Sequence, residues 1–68
     1  MKEFQFRQTT FVAKIWNGMV VYRAKDHLGG AWIKAWESIN NGSLNSEFRN
    51  KLQQTTVELH KENNIPIL

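Results

Sequence analysis

Asn17-Gly18 separates two runs of strand-forming residues, Phe11-Val-Ala-Lys-Ile-Trp16 and Met19-Val-Val-Tyr-Arg-Ala24. A two-residue type I′ turn needs positive φ at both central positions, and Asn-Gly adopts that conformation at the lowest steric cost. The turn predicts a hairpin over roughly residues 10–16 and 19–25 and sets its register. Trp16 opposes Met19, Ile15 opposes Val20, Ala13 opposes Tyr22, and Phe11 opposes Ala24. Because strand side chains alternate, Phe11, Ala13, Ile15, Val20, Tyr22 and Ala24 share one face. All six are apolar or aromatic, which makes this face the expected core.

Glu3–Arg7 alternates, with Phe4 and Phe6 on one side, and reads as an additional edge strand. Ala31–Asn40 fits two periods. As a helix, Leu28, Trp32, Ala35, Trp36 and Ile39 form a stripe; as a strand, Trp32, Lys34 and Trp36 alternate with Ala31, Ile33 and Ala35. The two alanines and the Asn40-Asn41-Gly42 stop signal favour the helix, with Trp32 and Trp36 as core anchors. A second, longer helix begins at a Ser43 or Ser46 cap with Glu47 in its first turn. Leu44, Phe48, Leu52, Thr55 and Leu59 form its apolar side, and it ends near Asn63-Asn64. Val57 falls on the polar side as an isolated apolar residue. The expected fold is a small two-layer α+β domain spanning residues 1–68. It comprises an antiparallel hairpin, or three strands with the N-terminal segment, followed by two α-helices on one sheet face. The expected core is Phe11, Ile15, Val20, Tyr22, Trp32, Trp36, Phe48 and Leu52. After the second helix, Ile65-Pro66-Ile67-Leu68 reads as a segment that folds back to seal the core's edge, or as a strand that docks on a partner.

A chain of 68 residues encloses a small core and struggles to desolvate a pocket. Cysteine is absent, which fits a reducing compartment and offers no disulfide or thiolate ligand. No apolar run reaches membrane-spanning length, and the first residues lack the apolar stretch of a signal peptide. A cytoplasmic location is the expectation. The net charge of +3 is uneven. Residues 1–34 hold six lysines and arginines against two acidic residues, while residues 35–68 hold three against four.

No catalytic constellation emerges. Ser38, Ser43 and Ser46 suit helix and cap positions, and Gly29-Gly30 lacks the context of a phosphate loop. Asp26, His27, His60 and Glu62 have no spacing that demands a metal. The expectation is a protein that is not an enzyme and uses no cofactor, metal or small-molecule substrate.

The second hairpin face is the distinctive surface. It joins Thr10, Val12, Lys14 and Trp16 to Met19, Val21, Arg23 and Lys25, too apolar for an ordinary wet face and too charged for a core. In the plainest reading, the lysine and arginine stems lie over the valines with their charged heads in water. Tryptophan, methionine and arginine are also enriched at protein interfaces. Val12, Lys14, Trp16, Met19, Val21, Arg23 and Lys25 are therefore the candidate partner-binding residues. They suit an adaptor, inhibitor or assembly factor that binds its own copy or a larger protein. The alternative is nucleic acid, with Trp16 stacking on a base and Lys14, Arg23 and Lys25 near phosphates.

Overall fold

The computed structural model describes residues 1–27 and 29–63. Leu28 and the Ile65–Leu68 segment, to which the sequence reading gave roles, lie outside the described residues. Four strands, β1 (Lys2–Phe6), β2 (Thr9–Trp16), β3 (Met19–Ala24) and β4 (Ile33–Lys34), precede helices α1 (Ala35–Ile39) and α2 (Ser46–Glu62). The strands form an antiparallel meander in the order β1-β2-β3-β4.

The β2–β3 hairpin turns at Asn17 and Gly18, with φ of 53° and 77°. Its register pairs Trp16 with Met19, Ile15 with Val20, Ala13 with Tyr22, and Phe11 with Ala24, as the turn chemistry predicts. β1 occupies one edge and pairs Phe4 with Phe11, extending the apolar face. The connection from β1 to β2 places Arg7 at φ 56°, a left-handed conformation uncommon for a residue with a Cβ.

α2 crosses this face beside β1. Lys51 Nζ donates to Gln5 O at 2.9 Å, and Lys2 pairs with Glu62 at the other end. Leu52, Thr55 and Leu59 are buried beneath it. Phe4, Phe11, Tyr22 and Phe48 form an aromatic cluster with centroids 5.1–6.4 Å apart. Tilted packing of such rings adds to their area burial.

Four details differ from the sequence reading. Residues 31–39 are not one helix, because residues 33–34 pair with β3 and helical structure starts at Ala35. Helix α1 buries Ala35 and Ser38, whereas Trp36 is 67% exposed and is not a core anchor. Trp32 also leaves the expected core: it stands on the opposite sheet face, against Lys14 and Arg23. The cause is the change of period. Strand pairing at 33–34 opposes Val21 to Lys34 and Tyr22 to Ile33, and the next step of that register opposes Arg23 to Trp32. Finally, Asn45 caps α2 in place of Ser43 or Ser46. Its Oδ1 accepts from the Glu47 and Phe48 amides at 2.8 and 3.1 Å. An amide oxygen at this position accepts two of the helix's unpaired N–H groups.

Candidate functional site

The structure divides the outer hairpin face into a covered middle and an open tip. In the middle, Val12 faces Arg23 and Lys14 faces Val21, so the four side chains occupy the corners of a square. The Trp32 ring meets two opposite corners, with Lys14 Nζ at 4.4 Å and Arg23 Cζ at 4.9 Å from its centroid. The ring therefore lies across the square. The valines at the other corners are only 6% and 3% exposed.

The cations of this face are engaged within the molecule. Arg23 Nη1 donates to the carbonyls of Ala24, Lys25 and His27 at 3.0, 3.3 and 3.1 Å, holding the segment that follows β3. Lys25 Nζ lies 2.9 Å from Glu3 Oε2. That hydrogen bond, reinforced by the Glu3 charge, raises the Lys25 ammonium above its ordinary 10.5. Thr10 lies beyond the square, where its carbonyl accepts from the Lys25 amide at 2.9 Å.

At the tip the surface is open. Trp16 is 54% exposed and sits opposite Met19. Met19 and Val20 form one wall of a groove of about 660 Å³, which α1 closes with Ala35, Trp36 and Ile39 and α2 closes with Gln53, Thr56, Val57 and His60. His60 Nδ1 is buried and has no hydrogen-bond partner among the described residues. Asn17-Gly18 sets the tip, and strand β4 delivers α1 beside it.

Of the residues singled out from sequence, Trp16 and Met19 reach this tip, Lys14 and Arg23 clamp Trp32, and Lys25 belongs to an ion pair. The sequence reading missed Trp36, Val57 and His60 as one surface. Val57 is half-buried and lines the groove. A signal for this wall was present, because residues 53, 56, 57 and 60 recur at i, i+3, i+4 and i+7 without a charge.

Among the described residues, no group of three histidine or acidic side chains is placed to hold a metal ion. No described helix is long and apolar enough to cross a membrane. No protein family, curated protein or solved structure matches the chain in comparison searches. The findings define a small α+β class, a four-stranded antiparallel sheet carrying two helices, with an apolar groove at one hairpin tip.

Proposed function

We propose that the chain is a small non-enzymatic protein–protein interaction module that docks through the hairpin tip, on its own copy or on a larger partner. The observation that carries this reading is the apolar groove at the hairpin tip, lined by Met19 and the exposed Trp36, with the exposed Trp16 paired to Met19 across the hairpin. Large, stiff indoles bury much area at low entropic cost, which is why tryptophan is enriched among the residues that dominate binding energy. The engagement of Lys14, Arg23 and Lys25 with Trp32, backbone carbonyls and Glu3 favours a protein partner over nucleic acid.

Sedimentation at micromolar concentration tests the self-associating form, with Trp16→Ala and Trp36→Ala as variants. Association that either variant weakens supports docking at the tip. A monomer that binds single-stranded oligonucleotides at moderate salt, and loses that binding when Lys14, Arg23 and Lys25 are neutralised, would replace this reading with the nucleic-acid one.

A further inference from the structure

We propose that the outer edge of β1 is a second interaction surface, where β1 of another copy adds antiparallel about a two-fold axis at Phe4. The edge lies on the far side of the sheet from β4, so the tip groove stays open. The hydrogen bonding of the sheet determines what this edge offers. Thr10 accepts from the Lys25 amide at 2.9 Å, so its backbone groups face β3. Gln5, its cross-strand neighbour in β1, therefore turns its N–H and C=O away from β2. Lys51 Nζ reaches that carbonyl from outside at 2.9 Å. Glu3, two residues earlier, turns the same way. Among the described residues, the Glu3 N–H and C=O and the Gln5 N–H meet no protein partner. A row of this kind is a template for strand addition.

Three observations select a second copy as the occupant. First, β1 is complementary to itself. Centred on Phe4, the register opposes Lys2 to Phe6 and Glu3 to Gln5, and it uses the whole strand Lys2–Phe6. Each Glu3–Gln5 pair exchanges both backbone hydrogen bonds. No like charges stand opposite, whereas the neighbouring register centred on Glu3 would oppose two carboxylates. Second, α2 starts clear of the edge. Phe48 lies 6.1, 5.3 and 5.9 Å from Phe4, Phe11 and Tyr22, which centres the start of the helix over β2. At about 4.8 Å per strand spacing, that start stands roughly 7 Å to its own side of the axis. Third, the charges above the edge complement each other. Lys51 reaches Gln5 and Glu62 reaches Lys2, so α2 runs antiparallel to β1. The two-fold axis then brings Lys51 of one copy to the level of Glu62 of the other. On pairing, the Glu3 N–H of the second copy takes the Gln5 carbonyl, and Lys51 exchanges that neutral acceptor for a carboxylate.

The test is sedimentation of the full chain from micromolar to millimolar concentration, with amide hydrogen exchange read by nuclear magnetic resonance. Gln5→Pro, Lys51→Glu and Trp36→Ala are the variants. The expected result is a dimer in which the Glu3 and Gln5 amides exchange about tenfold more slowly than in dilute protein, or slower still. The Phe4 amide, already in the β1–β2 ladder, should not change. Gln5→Pro removes an outward donor and leaves that ladder intact, so it should abolish the dimer. Lys51→Glu sets carboxylates against each other across the axis and should weaken the dimer severalfold, which keeps the test decisive if Gln5→Pro does not fold. Trp36→Ala should leave this dimer intact. A chain still monomeric at millimolar concentration would overturn the proposal. So would a dimer lost in Trp36→Ala but kept in Lys51→Glu and Gln5→Pro, a result that leaves docking at the tip standing. Glu3 and Gln5 amides equally protected at every dilution would mean that the edge is filled within one chain, and would overturn it as well.

Discussion

Replacing Trp32 by alanine should be one of the most damaging single changes outside the helix-covered core. The indole covers the square of Val12, Lys14, Val21 and Arg23, and it is itself partly buried. Removing it returns roughly 100 Å² of apolar surface to water, worth about 2.5 kcal/mol at about 25 cal/mol per Å². Loss of the two cation–π contacts, at about 0.5 kcal/mol each, adds about 1 kcal/mol. The total is about 3.5 kcal/mol, which lowers the melting temperature of a domain this size by about 14–28 °C. Urea and thermal unfolding followed by far-ultraviolet circular dichroism measure it, with Trp36→Ala as the matched control. Trp36 is 67% exposed, so its truncation should change stability by less than about 1 kcal/mol. A Trp32→Ala protein within about 1 kcal/mol of the parent, or one no less stable than Trp36→Ala, would refute the cover assigned to this indole.

Two further perturbations probe the core and the surface charges. Tyr22 Oη and Ser38 Oγ are 2.6 Å apart and both residues are buried, so Tyr22→Phe strands the serine hydroxyl and should cost about 1–3 kcal/mol. Tyr22→Phe/Ser38→Ala should recover part of that loss in equilibrium unfolding, and a double variant as unstable as the sum of the singles would deny the coupling. Hydrogen bonds to Glu62 and Glu3 raise the Lys2 and Lys25 ammonium groups above 10.5. A raised folded value means their contribution is complete below pH 10.5 and is lost as pH climbs through the folded values. Lys2→Met/Lys25→Met should therefore flatten the alkaline decline of stability, most visibly at low salt, and an unchanged slope would count against the pairs.

The sequence by itself determined the hairpin, and with it the division of residues between two faces. Asn17-Gly18 is a local device: positive φ and a two-residue loop leave one register, and period-two alternation then places Phe11, Ala13, Ile15, Val20, Tyr22 and Ala24 together. The stripe of Phe48, Leu52, Thr55 and Leu59 was equally legible, because α2 is long enough for its 3.6-residue period to stand out. Residues 31–39 were not legible. Their two-residue strand and five-residue helix are each too short to impose a period, so pairing with β3 decided which way Trp32 and Trp36 point. The candidate surface followed from that choice. Sequence placed Trp16 and Met19 at the tip, but tertiary packing moved Trp32 over Val12 and Val21 and brought Trp36 to the groove beside Val57 and His60. A register is set by a few adjacent dihedral angles. The groove is set by three elements distant in the chain, and only their packing creates it.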